Sequence, residues 1–159
     1  MKFSLSNKGL SPLNKIIKIG YKNSDKNYRK LVGEAYHNAI VGEYPNFTMD
    51  YSMIKVAEGN VNMPTNVVVN IDKASNQAII SWDSQIASSS QQCKKNDQVN
   101  IVCLNSSLLF AEFSLNAAKR SDGKVFFEIP TAWEYKDLNF RVFMSSNDLQ
   151  ENSDSLFVR

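Results

Sequence analysis

The chain has 159 residues, of which 43% are hydrophobic and 21% charged; that is enough apolar material for one packed domain and too much for wholesale disorder. Its net charge is only +2, and it holds one histidine (His37), two cysteines (Cys93 and Cys103) and six glycines. Zinc sites, histidine-based triads, disulfide scaffolds and glycine-rich phosphate loops all need more of these residues, so composition argues against an enzyme.

The small net charge hides a split. Residues 1–30 carry eight basic residues against Asp25 alone, a charge of +7, and the remainder carries −5. Such a division marks interaction segments, and it is equally the signature of a solvated helix face. Met1–Lys8 lacks the apolar centre of a signal peptide, and no stretch reaches the ~18–20 apolar residues of a spanning helix. The expectation is a chain made and kept in a cytoplasm without membrane contact, where disulfides are uncommon. The sequons at Asn46 and Asn105 read as chance in a chain rich in Asn and Ser.

Ser11-Pro12 suits a helix start, followed by the apolar run Leu13, Ile16, Ile17 and Ile19. Gly20 and Asn23-Ser24-Asp25 are candidate interruptions, with Ser24 or Asp25 able to cap a second helix. From Asp25 to Ile40 the residues Tyr28, Leu31, Val32, Ala35, Tyr36, Ala39 and Ile40 recur at helical spacing, and Gly42 is the expected stop. The two segments are in phase, which permits one helix over about 12–40, with Gly20 costing about 1 kcal/mol relative to Ala. Lys15, Lys18, Lys22, Lys26, Arg29 and Lys30 form a basic stripe on it, the candidate partner-contact surface, for phosphates or for an acidic neighbour. No nucleic-acid motif accompanies the stripe, so a nucleic-acid partner is the lesser expectation.

Beyond Tyr51 the chain reads as short strands separated by polar turns: Ser52–Glu58, Thr65–Ile71, Gln77–Asp83, Gln98–Asn105, Leu108–Asn116, Gly123–Ile129, Leu138–Ser146 and Ser155–Val158. This spacing predicts a β-sandwich. The fold class is therefore mainly β, a helical arm (1–45) followed by an antiparallel sandwich (46–159). Candidate core residues are Leu31, Val32 and Ala35 on the helix, and Trp82, Ile101, Cys103, Phe126, Phe140 and Val142 in the strands. Ser84–Gln98 is weakly patterned and reads as a mobile surface loop.

No constellation for chemistry emerges. His37 has no oriented nucleophile beside it and reads as a surface residue. Cys103 reads as a core thiol and Cys93 as a loop thiol; whether the fold brings them together is open. The acidic run Asp148–Asp154 lacks the spacing and glycine of a calcium loop. No cofactor or metal is expected.

One resemblance adds to this reading. Tyr36-His37-Asn38-Ala39-Ile40-Val41-Gly42-Glu43-Tyr44-Pro45, then Met49-Asp50-Tyr51 and the segment to Gly59, resemble an uncharacterised domain family associated with gut Bacteroidetes and their crAss-like phages. Further matches are Ile80-Ser81-Trp82-Asp83, Asp97-Gln98-Val99, Ile129–Trp133 and the closing Ser153-Asp154-Ser155-Leu156-Phe157-Val158. The similarity spans about residues 25–159; Met1–Lys22 stands where members carry a longer glycine-rich segment. The strand order, with a tryptophan on the third strand, is similar to fibronectin III and immunoglobulin-like sandwiches. The resemblance implies no catalytic residue and a structural role. With a composition suited to an AT-rich phage genome, the expected function is a virion subunit: a ring, neck, tail or capsid-associated protein that assembles in the host cytoplasm with copies of itself and other virion proteins. The alternatives are a bacterial surface adhesion module and, less favoured, a nucleic-acid-associated protein.

Overall fold

The computed structural model describes residues 1–22, 26–86 and 92–158. Three helices open the chain. Helix α1 (Lys2–Leu10), which has no counterpart in the sequence reading, joins α2 (Asn14–Gly20) through one 3-10 turn at Ser11–Leu13. Pro12 sits at the start of that turn, where its missing N–H costs least. Helix α3 (Tyr28–Asn38) is capped by Asn27, whose side chain accepts from the Lys30 N–H at 3.0 Å. The continuous helix over 12–40 does not form, because α2 stops at Gly20 and α3 begins only at Tyr28. The expected caps Ser24 and Asp25 lie outside the described residues. Gly42 does not stop the helix either. Its φ of 93° serves the hairpin between β1 (Ile40–Val41) and β2 (Thr48–Met49).

Seven further strands follow: β3 (Val68–Asp72), β4 (Gln77–Ser81), β5 (Gln98–Asn105), β6 (Phe110–Lys119), β7 (Lys124–Glu128), β8 (Leu138–Ser145) and β9 (Leu156–Val158). They form two antiparallel sheets, β3-β4-β7 and β6-β5-β8-β9. The protein is mainly β, with a helical arm followed by a sandwich of fibronectin III-like arrangement. The strand expected over Ser52–Glu58 is absent. A 3-10 turn at Tyr51–Met53, held by Asp50 accepting from the Ser52 N–H, leads instead into an irregular run laid along residues 152–155. Three hydrogen bonds stitch it there: Val56 N–H to Ser155 Oγ at 2.9 Å, Ser155 N–H to the Ala57 carbonyl at 3.0 Å, and Gly59 N–H to Asp154 Oδ1 at 3.2 Å.

Two cores lie on either side of the four-stranded sheet. Between the sheets, the candidate core residues Trp82, Ile101, Cys103, Phe140 and Val142 are buried, together with Ile80. On the outer face of the same sheet, Val102, Leu104 and Phe143 pack against Leu13, Ile16 and Ile17 of the first helical segment and Leu31, Val32 and Ala35 of α3. The helical arm is thus a third layer sharing a core with the sandwich. Phe126 corrects the sequence reading: it is 53% exposed on the outer face of the three-stranded sheet, while Phe127 points inward. Adjacent strand residues face opposite sides, so only one of two consecutive phenylalanines can enter the core.

One end of the sandwich is closed by a buried ion pair. Arg120 Nη2 lies 3.0 Å from Asp97 Oδ2, both side chains being almost fully enclosed. The Trp82 indole N–H donates to the Arg120 carbonyl at 2.7 Å, and Asp97 also accepts from the Lys94 N–H at 2.8 Å. Residues 92–97 of the expected mobile loop are therefore tied down; 87–91 of it lie outside the described residues.

Gly20 lets the helical layer dock closely: a Cβ there would sit 2.0 Å from the Val56 carbonyl oxygen, whereas one on Gly33 of α3 would meet nothing within 4 Å. Gly20→Ala is expected to lower stability by about 1–3 kcal/mol through forced overpacking, and Gly33→Ala to leave it unchanged or raise it by up to about 1 kcal/mol. Urea unfolding midpoints of the two variants check this contrast.

Candidate functional site

The six basic residues of the expected stripe do not end up in one row. Lys15 and Lys18 are exposed on α2, where the Lys15 ammonium lies 5.6 Å from the centre of the Phe113 ring. The chain then leaves the helix, and Lys22 donates to the Leu149 carbonyl in the turn between β8 and β9. Lys26 pairs with Glu34 at 3.1 Å and lies 3.7 Å from Glu58. Arg29 and Lys30 are exposed on α3. Exposed cations therefore cover the outside of the helical layer, while Lys22 and Lys26 fasten it to the rest of the molecule.

Lys26, Glu34 and Glu58 surround a cavity of about 220 Å³ with Tyr21 and an apolar floor of Leu10, Leu31 and Ile54. This is below the ~300 Å³ at which small-molecule sites begin. Burial, then the charges of Glu58, Glu34 and Asp154, push the Tyr21 phenol well above its ordinary pKa, so it stays protonated. The hydrogen bond to Glu34 raises the Lys26 pKa, with the neighbouring carboxylates adding to it. Lys26 thus lies between two carboxylates, Glu34 and Glu58, at the rim of this cavity.

The remaining candidates for chemistry are apart. His37 is exposed and stacks edge-on against Tyr36 at 5.1 Å. Cys93 is half-buried, Cys103 is buried, and both are free thiols. Burial pushes the Cys103 thiol up to about 12, with the Arg141 charge opposing and Glu112 adding. Among the described residues no group of three or more His, Cys, Asp or Glu side chains could hold a metal ion. No helix among them is long and apolar enough to cross a membrane.

Four polar residues that sequence reasoning passed over hold the layers together. Asp97 and Arg120 form the buried pair described above. Arg141 is wholly buried on the outer face of β8, where Nε donates to the Ile54 carbonyl at 3.0 Å and Nη2 to the Tyr51 carbonyl. Its guanidinium carbon lies 5.2 Å from the centre of the Phe157 ring, and Nη1 is buried without a partner. Burial lowers its pKa to about 10, so it stays charged at neutral pH. Asn152 donates to the Ile19 and Gly20 carbonyls at 3.0 and 3.1 Å, satisfying the end of α2 from across the molecule. The one advance signal was β8 itself: an arginine inside an apolar strand needs a built environment. Nothing about Asn152 distinguishes it from the other asparagines of the chain.

The fold defines a fibronectin III-like sandwich protein with a fused helical cover. The chain belongs to a family of unknown function, DUF6266, whose model matches residues 1–159. The match begins at residue 1, so it takes in α1 and α2, beyond the span of about 25–159 over which the sequence resemblance was drawn. No curated protein matches the chain.

The thiols give a direct check on the two cores. A thiol reagent at pH 8 is expected to label Cys93 in the native protein and to spare Cys103, which reacts only at the rate of unfolding. Because the folded state holds the Cys103 proton more tightly than the unfolded one, its contribution to stability is full below about pH 9. It falls by about 1.4 kcal/mol per pH unit towards pH 12. Denaturant titrations of the protein and of Cys103→Ala across that window should differ by this slope.

Proposed function

We propose that the protein acts without catalysis, as a structural subunit of a bacteriophage particle: a ring, neck, tail or capsid-associated component. It assembles in the cytoplasm of the infected bacterium through contacts with copies of itself and with other virion proteins. The observation that carries this reading is the fusion of the helical layer to the sandwich through a shared core. The result is a three-layered body with two unlike outer faces. One presents Lys15, Lys18, Arg29 and Lys30; the other, the outside of the three-stranded sheet, presents Val68 and Phe126. Subunits with distinct opposite faces suit closed or stacked assemblies, and the cationic face suits an acidic neighbour.

The test is mass spectrometry of purified particles from cells producing the chain. The polypeptide is expected in a fixed ratio to the other structural subunits. Particles lacking it overturn the reading, and its recovery from the cell envelope alone favours the adhesion alternative. Retention on DNA that weakens steeply with salt, and disappears on charge reversal at Lys15, Lys18 and Arg29, favours the nucleic-acid alternative.

A further inference from the structure

The geometry points to the free edge of β7 as a self-pairing interface, through which two copies of the chain join their three-stranded sheets across a two-fold axis. The inference deepens the assembly reading above and rests on it for the choice of a second copy as partner.

The backbone supplies the first part. Among the described residues, strand β7 pairs only with β4, in the register Ser81–Lys124, Ile79–Phe126 and Gln77–Glu128. At its two ends the Trp82 N–H donates to the Gly123 carbonyl at 2.9 Å, and the Ile129 N–H donates to the Asn76 carbonyl at 3.1 Å. In an antiparallel ladder the N–H and C=O of one residue point to the same side, and alternate residues point to opposite sides. Odd-numbered residues of β7 therefore bond to β4, and Lys124, Phe126 and Glu128 direct their N–H and C=O groups away from the sheet. That edge is open: it borders a cleft of about 490 Å³ whose opposite wall is Glu112, Phe113 and Ser114 of β6.

The side chains supply the second part. In an antiparallel pairing of β7 with itself centred on Phe126, Lys124 faces Glu128 of the second copy, Glu128 faces its Lys124, and the two Phe126 rings meet at the axis. All three pairs join residues whose backbone groups point outward, so each exchanges two hydrogen bonds. Opposite charges and aromatic rings are the cross-strand pairs that stabilise a ladder, and a two-fold interface requires a patch complementary to itself. This register also pairs the exposure of Phe126, 53% on a strand in the middle of a folded domain, with its own copy. The other edges lack this property. On β3 the equivalent pairing sets Val68 against Asp72, β9 has three residues, and on β6 the charges Glu112 and Lys119 differ in parity and cannot face each other.

Sedimentation velocity of the full chain across micromolar concentrations tests the interface. A reversible dimer is expected, weakened about tenfold by Lys124→Glu or by Glu128→Lys, since each sets two like-charge pairs at the edge. An equimolar mixture of these two variants, and the double exchange K124E/E128K, are expected to restore association, because both recreate opposite-charge pairs. Circular dichroism confirms that each variant is folded. A chain that is monomeric throughout, single reversals without effect, or a mixture that fails to recover overturns the interface. A dimer that follows this pattern in a chain absent from particles overturns the virion placement and leaves the interface standing. Normal incorporation of Lys124→Glu into particles, with no dimer in solution, overturns the interface and leaves the placement.

Discussion

Strands β5 and β8 bury both of their faces, and most of the architecture exists to make that possible. Val99, Ile101 and Cys103 point into the sandwich while Val102 and Leu104 point out of it, and Val142, Met144 and Phe143 divide in the same way. An antiparallel sheet ordinarily turns one face to water. Here that face carries three large apolar side chains, each worth about 1.5–3 kcal/mol when fully buried. Leaving them exposed would cost several kcal/mol, which is comparable with the whole stability of a domain of this size, about 5–15 kcal/mol. The helices are consequently a requirement of the sheet. Arg141 follows from the same constraint: it lies on the covered face, so its charge is met by carbonyls of the covering segment and by the Phe157 ring instead of by water.

That constraint also explains what could and could not be read from residues alone. The bounds of β5 and nearly those of β8 were legible because both strands are long, apolar and flanked by polar turns. In Lys124-Val125-Phe126-Phe127-Glu128 the strand is legible, but two consecutive phenylalanines offer two candidates for one inward position, and Phe127 takes it. Two-sided burial was hidden because a continuous apolar run reads the same in a buried strand of any kind. The basic stripe looks continuous in the sequence because its two segments share one helical phase, whereas α2 ends at Gly20, α3 begins at Tyr28, and Lys22 and Lys26 go to separate partners. Helix α1 gave no signal because its inward residues include Ser6 and Gly9 as well as Leu10, too few and too small to print an amphipathic pattern.

The short motifs that carry the sequence resemblance turn out to be fastenings. Ser153 Oγ accepts from the Met144 N–H at 2.8 Å, Asp154 accepts from Gly59, and Ser155 accepts from Val56, so three consecutive side chains bind the backbone of β8 and of the irregular run. Asp50 receives the Ser52 N–H at 3.0 Å while its own N–H donates to the Ala39 carbonyl at 2.7 Å, closing the small hairpin onto the end of α3. Irregular segments have no ladder to satisfy their backbone groups, and small polar side chains take its place. Such motifs report how a fold is tied together and are silent on chemistry.

The bond from Asn152 to the end of α2 spans 133 and 132 residues of chain, and this has a consequence for biosynthesis. The helices leave the ribosome before the sheet, yet the face they cover is completed only by β8, and the last carbonyls of α2 accept from a residue made more than a hundred positions later. At translation rates of about 5–20 residues per second, α1 and α2 wait on the order of ten seconds with their apolar sides uncovered. During that interval the nascent segment presents a cationic, amphipathic surface that its finished form conceals on one side. The helices are thus settled by strands made after them, and until then they are the part most in need of shelter.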